Sequence, residues 1–129
     1  MSSLEAAALW AGLNAILLIV LSGWVGRNRV KHRVNLGHGD KPEMIRAIRA
    51  QGNYVEYAPA AIGGLVLLAL LDAPVMAIHG LGGVFFFARL AHFMGLGLGV
   101  WPMGRAVGTV LTMLTLLVTG LWLIARAVF

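Results

Sequence analysis

The sequence predicts an all-α integral membrane protein, a bundle of four transmembrane helices. Three observations predict it. Of the 129 residues, 60% are hydrophobic and 12% are charged, roughly half the charged fraction of an ordinary soluble domain. Four apolar segments stand out, each near or above the ~20 residues that cross a bilayer core. The cations are bunched: seven of the ten lysines and arginines fall between Arg27 and Arg49. The length suits one membrane domain spanning residues 1–129.

Helix 1 is expected over about residues 4–25, with Asn14 as its one strongly polar interior residue. The start, Met1-Ser-Ser-Leu-Glu5, lacks the basic region of a signal peptide, so this run reads as a retained helix. A basic loop follows and carries the turn signal Gly37-His38-Gly39-Asp40. Pro42 suits a first helical turn, with Asp40 or Lys41 at the cap. Helix 2 is expected over about 42–71, with Pro59 kinking it. Asp72-Ala-Pro74 is a tight turn. Helix 3 covers about 75–96, a glycine-rich loop Gly95–Pro102 follows, and helix 4 covers about 103–128. Gly108, Thr112, Thr115 and Thr119 on helix 4, and Ala8, Gly12 and Ala15 on helix 1, form small-residue stripes suited to close helix packing.

Charge sets an expected orientation. The basic loop 27–49 and Arg105 share one side, which should be cytoplasmic. Both termini then face the opposite side, which holds Glu5, Asp72 and Arg126. Spanning helices flank the basic cluster, which argues against a nucleic-acid surface and for membrane lipid headgroups. Trp10, Trp24, Trp101 and Trp122 fall toward helix ends, as interfacial aromatics do. There is no cysteine, so any thiol chemistry needs a thiol brought in by a substrate. His32, His38 and His79 lack ligand spacing, so no metal site is expected. Gly95, Gly97 and Gly99 do not follow a strand, which leaves little support for a nucleotide loop.

The polar start of helix 2 is the candidate functional region. At ~100° per residue, Arg46, Arg49, Asn53 and Glu56 fall at about 0°, −60°, −20° and −80°, one narrow face. Ionisable groups at this depth are costly and persist where they meet one another, a second helix or a polar ligand. Arg89 on helix 3 is placed either to pair with Glu56 or to wall an anion site. Arg46 either binds a ligand or snorkels to the headgroups. Arg49 and Arg105 together suit an anionic ligand, because guanidinium supplies charge and a planar donor fork. Nearby cations also favour a thiolate. His92, one turn after Arg89, is a candidate base, ligand contact or helix-bridging donor.

Arg46-x-x-Arg49-Ala-Gln51-x-Asn53-x-x-Glu56-Tyr57-x-Pro59 resembles the helix 2 signature of the membrane-associated proteins in eicosanoid and glutathione metabolism (the MAPEG family). Arg89-Leu-Ala-His92 is similar to that family's helix 3 signature, and Arg105-Ala106 to the arginine opening its helix 4. The likeness covers essentially the whole chain, and the glycine-rich first loop together with the short chain looks more like the bacterial branch. The resemblance implies a homotrimer in a bacterial inner membrane that binds glutathione as co-substrate between protomers. It implies that Arg49, Asn53, Glu56 and Tyr57 hold the peptide's carboxylates and amine. Gln51, about 140° off the polar face, would contribute across a protomer boundary. Arg89 would brace Glu56 or the ligand, and Arg105 would be the catalytic residue, stabilising the thiolate. The partner substrate would be a lipophilic electrophile or lipid hydroperoxide. Characterised relatives often carry tyrosines where this chain has His92 and Leu96. The alternative is a non-catalytic scaffold or lipid-binding protein of the same fold. A small multidrug transporter, also four-helical, ranks low because helix 1 holds no carboxylate at depth.

Overall fold

A computed structural model describes all residues, 1–129. Four antiparallel helices run up and down: α1 (Ser3–His32), α2 (Pro42–Leu70), α3 (Val75–His92) and α4 (Pro102–Val128). A π-helical turn, Phe93–Gly97, extends α3. All four are long and apolar enough to cross a membrane, counting α3 with its π-turn. The bundle has two ends. The near end holds the α1–α2 loop, the π-turn and the start of α4. The far end holds both termini and the α2–α3 turn.

Local chemistry explains the boundaries. Ser2 and Glu5 form a capping box at the start of α1: Glu5 N–H donates to Ser2 Oγ at 3.2 Å, and Ser2 N–H to Glu5 at 2.6 Å. The expected end of helix 1 near residue 25 is too early, for the helix continues to His32. Gly26 does not break it, and Asn28 returns its side-chain amide to Trp24 O at 2.9 Å. Arg29, Lys31 and His32 then meet the negative end of the helix dipole. Arg33 closes the helix in a left-handed conformation, φ 56°. Lys41 is the α2 cap, with Pro42 in the first turn. The last turn expected of helix 3 is π-helical rather than α-helical.

Packing is strongest between α1 and α2 and between α3 and α4. The α4 stripe is buried as a unit, from Gly104 and Gly108 through Thr112, Thr115 and Thr119. A Cβ at Gly108 would run into Ala88 O and the His92 backbone, so only glycine lets α4 lie this close to α3. The helix 1 stripe behaves differently from its expected packing role. Ala8, Gly12 and Ala15 face outward, and α1 packs instead through Ala6, Ala7, Asn14, Leu17, Leu21 and Val25. Two tryptophans act inside the bundle as well: Trp10 donates to His79 Nδ1 at 3.2 Å, and Trp24 to Gly97 O at 3.2 Å.

Candidate functional site

The near end opens into a polar pocket of about 370 Å³ between α2, α3 and α4. Ile45, Arg46, Arg49 and Asn53 come from α2, His92 and Leu96 from α3 and its π-turn, and Arg105 and Thr109 from α4. The π-turn matters here because it carries Leu96 into the wall. A Cβ at Gly95 would meet the Arg105 backbone N, so the turn lies directly against the start of α4. Trp24 takes up the free carbonyl of Gly97 and packs edge-on against Phe93, ring centroids 6.2 Å apart. An α1 side chain thus anchors the segment that shapes the pocket.

Arg89 lies just behind the wall and is 2% exposed. Its guanidinium donates to Asn53 Oδ1 at 2.7 Å and to Thr112 Oγ1 at 3.3 Å. It also approaches His92 Nδ1 at 3.3 Å. Guanidinium has no acceptor, so this contact is favourable only with the lone pair on Nδ1 and the ring proton on Nε2. The Tyr54 and Tyr57 rings flank the cation at 6.0 and 5.9 Å. The Arg89 Nε is buried without a partner. The one ion pair in the protein is His38 with Asp40, at 3.4 Å in the exposed loop. Arg46, Arg49, Arg89 and Arg105 therefore share one end of the bundle with no carboxylate within bonding reach.

Arg46, Arg49, Asn53, His92 and Arg105, all singled out in the sequence, meet in this pocket. Arg89 supports it from behind, through Asn53 rather than through the pairing with Glu56 that the helical wheel left open. Glu56 is exposed on the outer face of α2, and Tyr57 lies beneath Arg89. Gln51 turns toward α1 and donates to Ser22 Oγ at 2.8 Å. Two contributors escaped sequence reasoning. Thr112 read as a packing or ligand-lining residue of the helix 4 stripe, not as a partner for Arg89, from which it accepts. Tyr54, about 80° from Arg46 on the helical wheel, carried no signal of its own. It is 2% exposed, and its hydroxyl donates to Asn14 O at 2.8 Å and lies 3.1 Å from Asn14 Oδ1. Asn14 and Tyr54 also border a separate apolar groove of about 330 Å³ between α1 and α2, beside Pro59.

Fold and site together define a class: a four-helix integral membrane protein with a cationic pocket built at one end of the bundle. Within that class the chain belongs to the MAPEG family, whose family model matches residues 7–125. It is 35% identical over 117 residues to the inner membrane protein YecN of Escherichia coli (strain K12), covering 89% of each chain. The protein of the same name in Escherichia coli O6:H1 (strain CFT073) is similar to the same extent. No solved structure matches the chain.

Proposed function

We propose that this protein is a glutathione-dependent membrane transferase or peroxidase acting on a lipophilic electrophile or lipid hydroperoxide. The observation that carries the reading is the pocket where Arg46, Arg49 and Arg105 converge without a carboxylate. Such a site suits an anionic peptide and holds its sulfur as thiolate. Arg105, at the start of α4, stabilises the thiolate. Arg46, Arg49, Asn53 and His92 hold the ligand, with Arg89 fixing Asn53 and His92. The sulfur then bonds to the electrophilic carbon, and the leaving group departs with its electron pair. With a hydroperoxide, the sulfur attacks the distal oxygen, the O–O bond breaks and the alkoxide leaves as alcohol with a proton from water; a second glutathione then converts the sulfenic acid to disulfide and water. The apolar groove beside Pro59 supports entry of the second substrate from the lipid.

The oligomer is a homotrimer in this reading. Glu56 faces outward from α2, where lipid alone would leave its charge costly, and the resemblance supplies the stoichiometry. Its location is the bacterial inner membrane, in line with the name of the E. coli relatives, and loop 27–49 is cytoplasmic by its positive charge. Asn35→Cys in intact cells should resist a membrane-impermeant thiol reagent applied from outside. Ready labelling would reverse the orientation.

Glutathione tests the activity. It should raise the melting temperature of detergent-purified protein by ligand linkage, and the complex should absorb as a thiolate in the near ultraviolet. Arg105→Leu should lower turnover more than binding, on the order of tenfold or more. Wild-type thiolate absorbance and turnover in that variant would make Arg105 a topology charge. A non-catalytic scaffold is the second reading, favoured by Leu96, whose side chain lines the pocket yet offers no hydrogen bond. Absence of any thiolate signal in the wild type would select it.

A further inference from the structure

The lipid-facing stripe of α1 continues past the end of its apolar span. Ile16, Ile19, Val20 and Gly23 are exposed on one side, and Arg27, Val30 and Lys31 are exposed directly beyond them. All of these lie within about 60° of Ile16 on the helical wheel. A Cβ at Gly23 would meet nothing within 4 Å, so the stripe is open there. The helix has 30 residues, about 45 Å of length, against a hydrocarbon core of about 30 Å. Counted from Glu5 at the far interface, that core takes about 20 residues and ends near Val25. Arg27 therefore stands just outside the hydrocarbon, at the level of lipid phosphates. Val30 is 81% exposed and Leu36 90%, apolar groups that gain from contact with lipid rather than water.

Arg27 has no acidic partner. Beyond Glu5, α1 holds no acid, and no residue after Asp72 is an acid. Glu43 on α2 is within electrostatic reach of Lys31 and His32 but pairs with neither. Arg29 folds back on the loop and donates to Gly37 O at 3.0 Å. Arg27 instead lies over the Trp24 ring, 5.7 Å from its centroid, which holds the guanidinium beside the stripe. Arg27 and Lys31 are like charges one helical turn apart, a repulsive pair that an anion bound between them relieves.

We propose that Arg27, Lys31 and the stripe below them form a site for one anionic phospholipid of the surrounding bilayer. The guanidinium takes the phosphodiester through two parallel N–H donors, and the Lys31 ammonium adds a point charge. The acyl chains lie along Ile16, Ile19 and Val20 and over Gly23. A choline headgroup is disfavoured by its own cation, which the two protein cations repel. Trp24 also donates to Gly97 O at 3.2 Å, so the lipid site and the pocket wall share one side chain. The site needs only that α1 crosses a membrane, whatever chemistry the pocket performs.

Native mass spectrometry of the purified full chain in neutral detergent tests this, with phosphatidylglycerol, phosphatidylcholine and inorganic phosphate as probes. One phosphatidylglycerol per chain should be retained. Its preference over phosphatidylcholine should be about fivefold or more, the scale of one basic side chain at a membrane surface. Arg27→Gln with Lys31→Gln should lower that retention about tenfold or more. Arg33→Gln with Lys41→Gln removes the same charge away from the stripe and should change retention by less than about twofold, because distant exposed charges are screened. All four side chains are exposed, so both double variants should elute from size exclusion as the wild type does. Equal losses in the two double variants would make the attraction diffuse and overturn the site. Retention of phosphatidylcholine as tight as that of phosphatidylglycerol, or no retained lipid in the wild type, would overturn it as well. Displacement of the lipid by inorganic phosphate would show a free-anion site with no role for the acyl chains, and would also overturn it.

Discussion

The two ends of this bundle are built on opposite terms. At the far end every polar group that meets another element is answered by a neutral partner or a backbone carbonyl. Ser3 Oγ donates to Ala73 O at 2.6 Å, the Arg126 guanidinium donates to Leu71 O, and Trp10 donates to His79. Ala6, Ala7, Leu68 and Ile78 are fully buried there. At the near end three arginines open toward a cavity, and a fourth is buried without counter-charge. The far end follows the rules of tight packing, and the near end breaks them at the candidate site. Local violations of this kind are expected where function, rather than stability, selects the residues.

Substitutions can break or sharpen that contrast. The largest effect is expected at Gly108, where the near end does depend on packing. Gly108→Leu forces a side chain into Ala88 O and the His92 backbone, and should cost more than about 4 kcal/mol. Size-exclusion chromatography in mild detergent should show loss of the monodisperse species; a well-behaved variant would mean α4 can slide. At the far end, Ile78→Ala empties a fully buried site and should cost about 2–5 kcal/mol, read from denaturant midpoints. A near-neutral result would show that this end is not the rigid one. The smallest stability effect is expected at Arg89→Met. Apolar replacement of a buried charge is often neutral or stabilising. Asn53 Oδ1 can take water from the pocket, and Thr112 can bond back along α4 as Thr115 does to Leu111 O. Stability should change by no more than about 1 kcal/mol, while glutathione binding is lost. A drop of about 3 kcal/mol or more would show that Arg89 is well compensated and that the two ends differ less than described.

Much of this was legible in the sequence, for identifiable reasons. Four long apolar runs have few alternatives to spanning helices, and the spacing of Arg46, Arg49 and Asn53 puts them on one face whatever surrounds them. The helical wheel could not say which neighbour each would meet. Arg89 lay within plausible reach of Glu56, but Asn53 is the group the helix packing brings within 2.7 Å. Tyr54 was hidden because an aromatic at a core angle looks the same with or without a partner for its hydroxyl. The outward turn of Ala8, Gly12 and Ala15 was hidden for a similar reason, since small residues fit against lipid or protein alike. The end of α1 was missed because Gly26-Arg27-Asn28 reads as a loop, while Asn28 supplies its own bond to the helix backbone.

The π-turn at Phe93–Gly97 carries a consequence for how such chains vary. A π-turn is an α-helix that has accepted one surplus residue. Removing one residue there would let the segment close into ordinary helical geometry, while the helix on either side keeps nearly the same direction and height, because the widened turn had already absorbed the surplus residue. What is lost is the widened turn itself, which presents Leu96 to the cavity and leaves the Gly97 carbonyl to Trp24. The shape of the pocket is thus written in the length of this segment as much as in its letters. Among related chains, a single-position gap just before α4 should accompany a differently shaped cavity, even where all four arginines stay in place.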